Sequence, residues 1–251
     1  GWRMFWDVAS SLQIFQIVQI NMYSYLYLII NVSAILIPFI FSFHKKLNFH
    51  YHFKSFLVGF LFMFPLFIVW DIYFTKMGVW GFNSDYLMGF SLFNLPIEEC
   101  LFFLCIPFSC IFTYHVVLTL SKNKSDFKSK KWSVVVSIIF LLFGMIHLNK
   151  MYTNTTFILL AIAILIAPYF VNMRVFLKTF LILQIPFCMV NGLLTGSLIE
   201  NQVVWYNNNE NLSFRLGTIP VEDVFYALLM LLLVMIGYQF SLNKKKETPT
   251  F

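Results

Sequence analysis

Charge is scarce in this chain. Only 11% of its 251 residues are Asp, Glu, Lys or Arg, while 60% are apolar. A soluble domain of this length cannot hide so much apolar surface from water. Cysteine chemistry is also missing. Cys100, Cys105, Cys110 and Cys188 lie inside apolar runs, without CxxC spacing or adjacent histidines, so they read as small apolar fillers rather than disulfide or metal ligands. There is no glycine-rich dinucleotide fingerprint and no phosphate loop, which removes the visible equipment for redox or nucleotide-driven chemistry. Paired aspartate-rich clusters for magnesium diphosphate are absent. The last apolar run holds no lysine for a retinal Schiff base.

What the chain does have is a series of apolar runs, most of them long enough to cross a bilayer as helix. Seven spans are expected, at about 24–43, 55–75, 96–120, 132–149, 155–171, 176–196 and 219–241. The net charge of +6 resides in the links. Lys45, Lys46, Lys54, Lys122, Lys124, Lys128, Lys130, Lys131, Arg174, Lys178, Lys244, Lys245 and Lys246 fall in alternate links. Only Lys76, Lys150 and Arg215 fall in the others, with Arg3 in the amino-terminal tail. This asymmetry is a membrane-orientation signal rather than a nucleic-acid footprint, and it puts the amino terminus outside and the carboxyl terminus in the cytoplasm. His115 and His147 read as packing residues. Residues 1–21 carry Asp7, Gln13, Gln16 and Gln19 among apolar residues, which suits an interfacial amphipathic helix. A natural start at Met22, with an upstream extension, is the expected account of that stretch.

An internal repeat is visible. Ala34-Ile-Leu-Ile-Pro38 resembles Ala163-Ile-Leu-Ile-Ala-Pro168, Pro65 matches Pro186, Asp71 matches Asn191, and Trp80 is paired with Trp205. Pro96-Ile-Glu-Glu99 matches Pro220-Val-Glu-Asp223. The expected layout is all-α: a first repeat at 22–121, a basic link and spacer helix at 122–152, a second repeat at 153–243 and a basic tail at 244–251. A shift of four helices preserves direction, so the repeats run parallel.

The paired acids carry the strongest chemical signal. Ionisable groups in apolar spans are expensive and usually face a protein interior or cavity. Proline and acids also suit the first turn of a helix, so capping is the competing account of Glu98 and Glu222. Adjacent helical residues point about 100° apart, so one member of each pair is expected to face a site and the other to support it. Asp71 and Asn191 are candidates to assist the acids or bond a neighbouring helix. Trp80 and Trp205 could line the site or form an interfacial belt. Phe102, Phe103, Phe225 and Tyr226 follow the acids within a turn. Aromatic faces attract cations, and an acid beside such rings in a water-poor pocket suits protonation of an alkene.

These features resemble the integral-membrane lycopene cyclase family, found as two small subunits or a fused chain in bacteria and archaea and within a bifunctional protein in fungi. The resemblance rests on Pro96-Ile-Glu-Glu99 followed by Leu101-Phe-Phe103, on Gly217-Thr-Ile-Pro-Val-Glu-Asp-Val-Phe-Tyr226, and on the two-repeat layout, over roughly residues 22–245. Asp223 stands where the first repeat has Glu99. The resemblance implies a fused lycopene β-cyclase, an isomerase of the bacterial inner membrane that needs no cofactor or metal. Glu98, Glu99, Glu222 and Asp223 would be its acids and bases. Its partners would be an acyclic carotenoid taken from the lipid, membrane lipid itself and other carotenoid-pathway enzymes, with no nucleic acid. A small transporter built from parallel three-helix repeats is the alternative.

Overall fold

The computed structural model describes residues 23–121 and 130–247. The expected amino-terminal interfacial helix, the start at Met22, and Lys122, Lys124 and Lys128 of the basic link lie outside the described residues.

Each apolar run becomes a helix, because only intra-segment hydrogen bonds can satisfy a backbone in hydrocarbon. They are α1 (Leu26–Phe41), α2 (Phe53–Met77), α3 (Ile97–Leu120), α4 (Lys130–Ile146), α5 (Met151–Ile166), α6 (Met173–Leu194) and α7 (Val221–Glu247). Among the described residues, five helical segments are long and apolar enough to cross a membrane: Phe49–Met77, Ile97–Leu120, Met151–Tyr169, Met173–Leu194 and Val221–Lys244. The chain is a polytopic α-helical membrane protein.

Helix α5 begins four residues before its expected start. Thr153, Asn154 and Thr156 make the run look too polar to be a span. The Thr153 hydroxyl, however, bonds Glu222 Oε1 at 2.6 Å, and the Asn154 amide bonds Gly144 O at 2.9 Å. Those polar groups are satisfied inside the bundle, so helix costs little there.

Among the described residues, the interhelical loops hold three short two-stranded sheets that the apolar pattern does not announce. Strand β1 (Trp80–Phe82) pairs antiparallel with β4 (Val204–Tyr206), placing Trp80 opposite Tyr206 and Gly81 opposite Trp205. The hairpin β2 (Ser91–Leu92) with β3 (Leu95–Pro96) leads into α3. The hairpin β5 (Arg215–Leu216) with β6 (Ile219–Pro220) leads into α7. Two or three residues are too few for an alternating signal, and their pairing depends on partners far along the chain.

The two copies share a set of equivalent hydrogen bonds at this end. Asn83 N–H bonds Val203 O at 2.8 Å, and Asn207 N–H bonds Val79 O at 2.9 Å. Asn83 Oδ1 accepts from Asp85 N and Asn207 Oδ1 from Asn209 N, both at 3.1 Å. Ile97 N–H bonds Phe90 O and Val221 N–H bonds Phe214 O, both at 3.0 Å. Both acidic helices therefore start at the same end of the bundle, beside the paired loop strands.

Helix α7 is central and packs closely on α2 and α5, while α1 lies along α3 and α4 along α5. The α2–α7 seam is closed by glycines. A Cβ on Gly59 would strike Val234 O, and one on Gly237 would lie 2.9 Å from the Gly59 Cα. Small residues let membrane helices approach to backbone contact. The pseudo-equivalent seam between α3 and α6 is much looser, and α1 scarcely meets α6.

Candidate active site

Glu99 and Asp223 stand one residue after the buried Glu98 and Glu222, and the turn of the helix separates their duties. Glu98 Oε1 accepts from Met88 N, and Glu222 Oε1 accepts from Leu212 N, each at 2.7 Å. Each of these carboxyls thus ties the loop before its helix to the helix start. Both are fully buried, and neither lines the cavity into which their neighbours point. The first turn of the helix supports an acid at this place, and the loop amide satisfies Oε1 of each carboxyl, while Oε2 of each is buried without a hydrogen-bond partner.

Glu99 and Asp223 converge on one cavity of about 80 Å³. Asp71 of α2 and Asn191 of α6 join them there, with Trp80, Phe102 and Tyr226 in the walls. Asp223 is held by three donors: Tyr152 Oη at 2.6 Å on Oδ1, Asn191 Nδ2 at 2.7 Å and Tyr206 Oη at 2.9 Å on Oδ2. Glu99 Oε2 accepts from the Tyr27 hydroxyl, and its other neighbour is a second carboxyl, Asp71, within hydrogen-bond reach. Asp71 Oδ1 accepts from the Trp80 indole, while Oδ2 is buried with no donor. Among the described residues, no lysine or arginine lines the cavity. Among the described residues, no group of three or more His, Cys, Asp and Glu side chains is placed to hold a metal ion.

The walls are aromatic. The Trp80 ring lies 5.1 Å from that of Tyr152 and 6.2 Å from that of Tyr226, and Tyr152 stacks on Tyr206 at 5.9 Å. Burial, then the adjacent Asp223 carboxylate, pushes the Tyr206 phenol well above the usual tyrosine range, so it stays a neutral donor.

Several expected residues lie elsewhere. Phe103 is buried against Phe67 and Phe102, outside the cavity lining. Phe225 packs on Phe140 and Phe157 of α4 and α5. Trp205 faces away from the site, half-exposed, with its indole over Gly81, where a Cβ would collide with it. The pairing of Trp80 with Trp205 is off by one. Asn83 and Asn207 align the copies, so Trp205 corresponds to Gly81, and Trp80 to Val204. A single-residue slip in a strand turns a side chain to the opposite face.

Three site tyrosines, Tyr27, Tyr152 and Tyr206, were missed by sequence reasoning. A signal existed for two. Tyr27 and Tyr152 occupy the same place in the two copies, each with a buried polar residue one turn later, Asn31 and Thr156. Among 12 tyrosines in an aromatic-rich chain that recurrence is easily overlooked.

The lycopene cyclase family model matches residues 24–117 and 149–241, two stretches that coincide with the two copies of this architecture. No curated protein and no solved structure matches the chain.

Proposed function

The chain belongs to the lycopene cyclase family, and we propose that it closes β-ionone rings at the acyclic ends of lycopene by acid–base chemistry without a cofactor. The observation that carries this reading is the convergence of Glu99, Asp71 and Asp223 inside a single aromatic-walled cavity.

The two corners of the cavity suit different roles. Two buried carboxyls side by side are costly to ionise together, so Glu99 and Asp71 serve together as a proton store, and Glu99 is its member toward the substrate. It protonates the terminal alkene, and its O–H electron pair returns to the carboxylate. The chain folds back, and a carbon–carbon bond forms at the cationic end. The resulting tertiary cation lies among Trp80, Tyr152, Tyr206 and Tyr226, whose faces stabilise it while exclusion of water prevents its hydration. Asp223, oriented by three donors, removes a ring proton to give the ring alkene. Substrate and product are isomers. One proton has moved from Glu99 to Asp223 and must return before the next cycle.

Glu98 and Glu222 hold the loops that carry this site and are positioning residues. The asymmetry of basic links supports an orientation with the site toward the outer side of the membrane and the carboxyl terminus cytoplasmic.

The direct test is expression in a lycopene-accumulating bacterium, followed by assay of the purified protein in liposomes without flavin or nicotinamide. Ring-bearing carotenoid is expected in both. Lycopene left unchanged by well-accumulated protein would remove the reading. Strict dependence on a reduced cofactor would overturn the simple acid–base scheme.

A further inference from the structure

A second cavity, of about 220 Å³, continues from the acid cavity toward the opposite end of the bundle, and the two share Phe102, Ile106, Phe187, Asn191, Ala227 and Met230 in their walls. It runs between α1, α3, α6 and α7, down to Pro38, Thr113 and Phe180. Resting on the cyclase reading above, we propose that this groove holds the polyene chain of the substrate while one end group reacts, and that it opens to lipid between α1 and α6.

The groove's few polar groups are already spent. Ser109 Oγ donates to Ala34 O or Cys105 O, at 2.9 and 2.8 Å. Thr113 Oγ1 donates to Ser109 O at 2.8 Å, and the Gln184 amide to Phe180 O at 3.1 Å. Their donors are bonded to backbone and that of Asn191 to Asp223, and the rest of the lining is mainly apolar. An occupant without hydrogen-bonding groups fits such walls, and a polar solute would be stripped of water without compensation. The helix rise from Glu99 to Thr113 gives the groove a reach of about 20 Å, enough for a long tail beyond a reacting end.

The pseudo-symmetry explains why the opening is on one side only. Thr113 stands as far after Glu99 as Gly237 after Asp223, and Phe180 as far before Pro186 as Gly59 before Pro65. On the α2–α7 side the counterparts are glycines in backbone contact. On the α3–α6 side a threonine and a phenylalanine hold the helices apart, and the space between them is the groove. Beyond it, Leu181, Ile185 and Met189 of α6 form an exposed apolar stripe, as expected of a wall that meets lipid.

The test compares two substrates with the same acyclic end group, a full-length acyclic carotenoid and a truncated polyene, in liposomes containing wild-type protein, Thr113→Trp or Leu183→Trp. Both variants fill the groove far from the acids. Turnover of the full-length substrate should fall by about tenfold or more, the scale on which a pocket rejects a misfit, while the truncated one reacts at the wild-type rate. Equal loss on both substrates, or loss on neither, overturns the groove assignment. Wild-type protein inactive on both defeats the cyclase reading instead.

A measurement on unaltered protein guards against misfolded variants. Cys110 lines the groove, whereas Cys188 is exposed on the outside of α6. Full-length carotenoid should slow N-ethylmaleimide alkylation of Cys110, read by peptide mass spectrometry, and leave Cys188 unaffected. No difference between the two thiols would mean that the polyene lies elsewhere.

Discussion

Glu99 and Asp223 occupy the same place in two copies of one architecture, yet their company differs. Tyrosine hydroxyls from the equivalent helix starts, Tyr27 and Tyr152, reach both. After that the copies diverge. Beside Asp223 stands an amide, Asn191, that donates; beside Glu99 stands a carboxyl, Asp71, that cannot donate unless protonated. Tyr206 adds a third donor to Asp223 alone. The repeat supplies two equivalent corners, and the acid–base isomerisation proposed above needs two different ones. In the proposed scheme a one-carboxyl exchange, Asp for Asn, distinguishes the corner that gives the proton from the corner that takes it.

The largest effect expected follows from breaking that difference. Glu99→Gln and Asp223→Asn should each reduce ring formation by about 10² to 10⁴-fold, the usual worth of a general acid or base, with protein accumulating normally in the membrane. Asp71→Asn, which gives the first corner the amide of the second, should cost less than Glu99→Gln. Glu99 remains in that variant and only its proton partner is lost. Turnover per folded molecule, measured in liposomes, checks all three. Normal activity in both Glu99→Gln and Asp223→Asn would take the carboxylates out of the chemistry.

The next effect separates Glu98 and Glu222 from their neighbours. Glu98→Gln and Glu222→Gln keep shape but replace a carboxyl that holds a loop amide at 2.7 Å. The expected result is a stability loss of about 1–3 kcal/mol, the cost of leaving a buried hydrogen-bonding group poorly satisfied. Melting temperature in detergent should fall, and activity per folded molecule should stay within a few-fold of wild type. A collapse of turnover at unchanged melting temperature would move these residues from positioning the loops to the chemistry itself.

How far the sequence reaches follows the same division. Helices were legible because hydrophobic run length is a local property, and the ranges of α2, α3 and α7 lie close to the apolar runs. Both acidic motifs were legible because a carboxylate in an apolar run is conspicuous. Which member of each pair faces the cavity was not. That depends on Met88 N and Leu212 N, backbone groups ten residues away that carry no side-chain signature. The Trp205 misalignment has a related origin: tryptophan is the more visible anchor, but the copies are aligned by Asn83 and Asn207, whose side chains cap loop turns. The groove was hidden altogether. It results from the residues that stand at two seams, Gly59 and Gly237 at one, Thr113 and Phe180 at the other, and each seam joins residues far apart in sequence.

The smallest expected effect tests the two hairpins, where the copies differ by a side chain at one backbone conformation. Phe93 has φ 58° and Gly217 has φ 66°, both in the left-handed region at the turn of their hairpins. Glycine adopts it freely, whereas another residue pays about 1–2 kcal/mol. Phe93→Gly should therefore relieve strain, and Gly217→Ala should impose it. The Phe93 ring is 79% exposed and loses little packing within the protein on removal. In detergent, Phe93→Gly should raise the melting temperature slightly and Gly217→Ala should lower it, by amounts near the 1 kcal/mol scale. Should Phe93→Gly instead destabilise the protein in liposomes while stabilising it in detergent, the ring is anchored in lipid. The first hairpin would then carry strain in exchange for membrane contact, an asymmetry between the copies unrelated to the chemistry of the acids.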